Sequence, residues 1–202
     1  MLGGLTLVTG PAKEPIGLDE LRDPDHGGHL RVSHYLDDAF ISDLIVVARE
    51  RAEEFQARAY ITQTWDYFLH GFPAGLRYIE LPKPPLQSVT HVKYHLEDDS
   101  EQTFAASKYF VDTASVVGRI VLDEDESWPT DTLREANGVE VRFVAGYGTE
   151  QLHVPARIRH ALKIMVADLY ENRESFVMGQ APQVLPVAAE RLLYQDRVFS
   201  FA

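Results

Sequence analysis

Histidines and carboxylates are the side chains of this sequence best equipped for acid–base or metal chemistry, and they gather first between Asp25 and Asp38. There His26, His29 and His34 alternate with Asp25, Asp37 and Asp38. Imidazole and carboxylate both ligate zinc, but the spacing matches no closed zinc pattern, so solvated or interface histidines are expected here and no metal. His91 and His95 stand at even spacing in a β-branched stretch and share a face with Lys93. A nucleophile would need a serine in context. Ser88, Ser107 and Ser115 have none, and the G-x-S-x-G elbow is missing. The run Asp123-Glu-Asp-Glu126 lacks the order of a calcium loop, and Gly146-Tyr-Gly148 lacks the Lys-Ser/Thr of a phosphate loop. Arg157, Arg159, Lys163 and Arg173 are interrupted by Asp168, Glu171 and Glu174, which favours intrahelical pairing or subunit contacts over phosphate binding. The expectation is a protein without catalytic residues, cofactor or metal.

The elements that carry these residues are organised around Val154–Ser175. Pro155 suits a first helical position, and Ile158, Ala161, Leu162, Met165 and Leu169 fall on one face. Such a helix needs a mate. Asp37-Asp38 supplies a helix start, after which Phe40, Ile41, Leu44, Ile45, Val47, Ala48, Ala52, Phe55 and Ala59 recur at helical spacing. The predicted helical core and subunit contacts are Phe40, Leu44, Val47, Phe55, Ile158, Leu162, Met165 and Leu169. Between the two helices, 61–69, 76–81, 88–95, 108–111, 119–122 and 139–144 read as strands. Turn signals separate them and no crossover helix fits, so an antiparallel sheet or small barrel is expected rather than a parallel one. Residues 1–36, broken by glycine and proline, are expected to form an irregular arm lying over a neighbour. A hinge at 177–183 leads to a third helix with Leu185, Ala188, Ala189, Leu192 and Leu193. The expected fold class is α+β: a helical bundle, residues 1–59 and 150–202, interrupted by an inserted antiparallel β-domain, residues 60–149.

Bulk properties narrow the function classes. A formal charge of -12 and a pI near 5.0 oppose standing affinity for DNA or an anionic membrane. Cysteine is absent, which removes disulfides and thiolate chemistry. No run is long and apolar enough to span a membrane, and the N-terminus has no secretory pattern, so synthesis and retention in the cytoplasm are expected. The aromatic end, Arg197-Val-Phe-Ser-Phe-Ala202, is unusual for a tail in solvent; docking, in cis or on another chain, is the reading.

Five segments then form a recognisable series. Ala59-Tyr-Ile-Thr-Gln-Thr-Trp65, Leu81-Pro-Lys-Pro-Pro-Leu-Gln-Ser-Val-Thr90, Phe143-Val-Ala-Gly-Tyr-Gly148, Val154-Pro155 and Leu169-Tyr-Glu-Asn-Arg-Glu174 occur in order. Together they resemble the head-tail connector, or adaptor, proteins of long-tailed phages, especially the variety with an inserted β-domain found in prophages and phage-like gene transfer particles. The resemblance implies a structural virion protein in the particle neck, made in the host cytoplasm. It implies self-association into a ring, commonly of twelve subunits, under the portal protein, with a stopper or tail-terminator protein on the other side. DNA would only pass through the channel. The family's C-terminal segment engages the portal, which would assign docking to Leu192, Leu193, Tyr194, Arg197, Phe199 and Phe201. The alternatives from other classes are a small phage-encoded DNA-processing enzyme and a generic protein–protein interaction module.

Overall fold

A computed structural model describes residues 4–22, 28–30, 32, 34–172 and 185–199. The chain divides into two compact units: the described parts of Met1–Ala12, Ala57–Tyr147 and Val198–Ala202, and those of Lys13–Gln56 and Gly148–Arg197.

The first unit is built from strands β1 (Gly4–Thr9), β2 (Gln63–Leu69), β3 (Tyr78–Glu80), β4 (Leu86–His95), β5 (Glu101–Phe104), β6 (Tyr109–Asp112), β7 (Arg119–Leu122) and β8 (Val139–Ala145). They make a five-stranded sheet, β1-β2-β8-β4-β5, and a three-stranded sheet, β3-β7-β6, antiparallel throughout. Alternation sets the inner face. In β8, Val139, Val141, Phe143 and Ala145 are buried while Glu140, Arg142 and Val144 are half-exposed. The inner residues join Val92, Phe104, Tyr109, Ile120 and Leu122 in one core drawn from both sheets. Two glycines are required by this packing. A Cβ on Gly118 would stand 2.3 Å from that of Leu86, and Gly146, at φ +129°, would bring one to 2.6 Å from the Ile61 carbonyl oxygen.

In the second unit are the single turn α1 (Leu18–Leu21), α2 (Asp38–Gln56), α3 (Ala156–Glu171) and α4 (Val187–Tyr194). The amide of Ile41 bonds the Asp37 carbonyl at 2.8 Å, so Asp37 sits at the mouth of α2 as its sequence position suggests. Pro155 precedes the first turn of α3. Ile158, Ala161, Leu162, Met165 and Val166 of α3 are buried, as are Ile41, Ile45, Ala48 and Ala52 of α2, and the two helices pack against each other and against α4. A charge is buried with them. Arg49, 7% exposed, reaches Glu14 at 2.8 Å and Glu53, itself 6% exposed, at 3.0 Å. Burial opposes the Arg49 charge, but these carboxylates outweigh it and hold the guanidinium above its ordinary pKa. Such a pair specifies geometry more than it adds stability.

Two expectations need correction. The chain is α+β, but the helical bundle is not found: among the described residues α1 is four residues long and α4 eight. Glycines and prolines at 10, 11, 15, 17 and 28 divert the remaining chain into irregular segments. Nor is the N-terminal arm irregular throughout, because Gly4–Thr9 pairs with β2 through a bulge between Leu7 and Thr9. The hinge at 177–183 lies outside the described residues.

Glu20 ties α1 to α3. Its carboxylate lies 2.7 Å from Arg159 and 2.6 Å from Lys163, and it accepts from the Gly17 amide. Burial pushes its pKa up, but the Lys163 hydrogen bond, the Gly17 bond and the two cations outweigh this and leave it below 4.5. A depressed carboxyl stabilises the fold fully above its unfolded pKa, and that contribution is lost as pH falls through the folded value. Urea titrations across pH 3 to 7 are expected to show Glu20→Gln less stable at neutrality by up to about 1 kcal/mol, with the difference from wild type vanishing in acid.

Candidate interaction surfaces

The histidines of β4 lie on the outer face of the five-stranded sheet, as alternation requires. Register sets His91 opposite Arg142 and Lys93 opposite Glu140 on β8. Glu140 is the centre of this face: His91 Nε2 lies 3.1 Å from one oxygen and His95 Nε2 3.9 Å from the other. Beside it, Arg142 donates to both oxygens of Asp66 at 2.7 and 2.8 Å, and Lys93 pairs with Glu101 at 2.7 Å. The Asp66 hydrogen bond, the strongest influence on Arg142, raises its pKa. Asp66, Glu101, Glu140 and Arg142 were missed as members of this cluster. For Glu140 and Arg142 the signal is the alternating Val-Glu-Val-Arg-Phe-Val-Ala of β8; Asp66 on β2 and Glu101 on β5 join them only through strand pairing. The face is a lattice of polar contacts between strands, ion pairs at Asp66–Arg142 and Lys93–Glu101 and imidazole contacts at Glu140.

The other chemical candidates are dispersed. His29 meets His160 edge-on at 6.3 Å, and burial first, then His160 and Lys163, lowers its pKa. His34 is exposed, Asp37 accepts from Tyr170 at 2.5 Å, and Asp38 pairs with Arg22 at 2.8 Å. Asp25 and His26 lie outside the described residues. Among the described residues no group of three or more His, Cys, Asp or Glu could hold a metal ion. Ser115 donates to Asp112 at 2.6 Å. Hydrogen bonds from Ser115 first, then from Arg119, hold the Asp112 carboxyl far below its usual range; the arrangement fixes the turn between β6 and β7. The amides of Gly146 and Tyr147 bond the carbonyls of Pro85 and Tyr60, so neither is offered to a phosphate. Arg157, Arg159 and Lys163 pair with Asp196 and Glu20 on other segments of their own unit, rather than within α3. Arg173 lies outside the described residues.

Of the core and contact residues expected on the helices, Ile158, Leu162 and Met165 are buried and Phe40, Leu44, Phe55 and Leu169 half-buried. Val47 is 37% exposed. In the C-terminal segment, Leu193 is fully buried and its carbonyl accepts from Gln56 at 2.5 Å; Leu192 is half-buried. Tyr194 and Phe199 are 55% and 51% exposed, and the Arg197 guanidinium lies 4.6 Å from the centre of the Phe55 ring. Phe201 lies outside the described residues. One helix thus divides its apolar residues between its own core and a surface.

The architecture is that of an α+β protein in which a sheet-built segment is threaded between helices distant in sequence. No protein-family model matches this chain, and no curated protein matches it. Solved structures share its fold. A chain of "Virion of native gene transfer agent (GTA) particle" superposes with a TM-score of 0.77 at 21% identity, covering 98% of this chain and 97% of that one. A chain of "Neck of empty GTA particle computed with C6 symmetry" gives 0.77 at 22%, and one of "Neck of native GTA particle computed with C12 symmetry" gives 0.69 at 19%, both with the same coverage. At these identities the likeness is one of fold.

The burial difference within α4 has a measurable consequence. Leu193→Ala is expected to destabilise the helical unit by about 2 to 5 kcal/mol, whereas Tyr194→Ala stays within about 1 kcal/mol, as read from urea unfolding followed by circular dichroism.

Proposed function

We propose that this chain is a structural, non-enzymatic component of the neck of a phage-like gene transfer particle, forming a ring that links the DNA-filled head to the tail. The observation that carries this reading is fold agreement over nearly the whole of both chains, at 98% and 97% coverage, with chains of GTA particles. Those necks were solved with C6 and C12 symmetry, which supports a ring and, in its finest form, twelve copies. In a ring each copy offers two different surfaces to its neighbours, and the outward sides of α2 and α3 suit that use.

The particular partners follow from the family resemblance. The ring sits under the portal, receives a stopper or tail-terminator protein, and lets DNA pass without holding it. A formal charge of -12 supports the last point, since like-charged walls keep a duplex from adhering. Residues 60–149 act as the inserted β-domain. Portal docking is assigned to the exposed members of the C-terminal segment, Tyr194, Arg197, Phe199 and, beyond the described residues, Phe201, with Leu192 beside them. Leu193 supports that segment from the core.

Electron microscopy of the chain mixed with portal protein tests this. Rings stacked on portal are expected, and a chain truncated after Asp196 is expected to lose the association in pull-down while keeping its circular dichroism spectrum. Failure of the intact chain to join portal would overturn the neck assignment; undiminished binding by the truncated chain would overturn only the docking segment.

A further inference from the structure

The β-unit holds a cavity of about 370 Å³ between the end of β5, the following 3-10 turn (Ala106–Lys108) and the segment from Glu126 to Asp131. Its size falls in the lower range of ligand pockets. Tyr94, Phe104 and Trp128 line it, braced by Phe72 and Tyr109 behind them. Trp128 stacks on Phe72 with centroids 5.1 Å apart and planes 12° apart, and leans on Phe104 at 5.6 Å. Phe104 in turn stacks on Tyr109, and Phe72 meets Tyr94 edge-on, so the rings are fixed by one another.

The rim is ionic. Lys108 Nζ lies 3.1 Å from Glu126 and 6.0 Å from the Phe104 centroid, so the cavity already accommodates one cation of its own chain over an aromatic face. Asp131 also lines the cavity; it is exposed and makes no ion pair or hydrogen bond among the described residues. The walls are set in advance. Trp128 Nε1 donates to the Leu76 carbonyl at 2.8 Å, Arg77 donates to the carbonyls of Asp123 and Glu124, and the Glu97 amide bonds the Thr132 carbonyl at 3.2 Å. Both ends of the acidic segment are thereby tethered.

These features select a ligand class. Carboxylates at Glu126 and Asp131, with Asp123, Glu124 and Asp125 on the adjoining turn, repel anions, nucleic acid included. Aromatic faces beside acceptor-only carboxylates favour a flat cation with several donors. A guanidinium meets both demands, because it stacks on an indole and presents a fork of N–H groups to a carboxylate. We propose that this cavity is a binding site for an arginine side chain presented by a protein partner, stacked on Trp128 and paired with Asp131. The proposal is independent of the neck reading and stands or falls separately from it.

The chain has two tryptophans, so indole N–H resonances give a direct reporter, with Trp65→Phe assigning the Trp128 peak. The full chain is titrated with the peptide acetyl-Gly-Arg-Gly-amide and with its citrulline counterpart, equal in shape but uncharged. A saturable shift of the Trp128 peak is expected with the arginine peptide alone, and Asp131→Asn is expected to weaken it about two- to fivefold without altering the circular dichroism spectrum. An equal response to citrulline, an affinity unchanged in Asp131→Asn, or no saturation by tens of millimolar peptide overturns the proposal.

Discussion

The buried face of α3 is the constraint on which the helical unit depends. Ile158, Leu162, Met165 and Val166 have no local partner, because the sequence immediately before them is committed to strand β8 and the turn Gln151–His153. Their mate, α2, ends at Gln56, before strands β2 to β8. Closing that distance costs chain entropy, which only a large apolar area removed from water can offset. Arg49 and its carboxylates add directional bonds to an otherwise non-directional contact, and Glu20 does the same between α1 and α3.

Much of this was legible in the sequence, and the exceptions have physical causes. Helical periodicity places α2 and α3 because each is long and amphipathic, and alternation with β-branched and aromatic content places β2, β3, β4, β6, β7 and β8. The segment Glu101–Phe104 escaped because three of its four residues are polar and exposed; it is a strand only through pairing with β4. Gly4–Thr9 escaped for the related reason that its glycine-rich flanks signal a loop, while the ladder that orders it is supplied by β2. The bundle was over-read, since a short α4 and a single-turn α1 complete the helical core without further long helices.

The candidate surfaces were harder to foresee than the fold. His91 and His95 were visible as a pair on one face, but what fixes them is Glu140, far along the chain and adjacent only through β4–β8 pairing. The same holds for Asp66 and Arg142, joined by β2–β8 register. Surface chemistry in an antiparallel sheet belongs to rows across strands, and a row cannot be read from any one strand. In the C-terminal segment the limit is different: Leu193 and Tyr194 are neighbours in sequence, and only the direction in which each leaves α4 separates a core residue from a surface one.

The strand order carries a consequence for how the protein comes into being. β8 lies at the centre of the five-stranded sheet, between β2 and β4, yet it is the last strand in the chain. α3 and α4, which cover α2, follow it. During synthesis, therefore, every earlier element emerges before the segment that shelters it, and neither core can close until residues beyond Val139 have left the ribosome. The β-unit can close once β8 has emerged, whereas the helical unit must wait for α3 and α4.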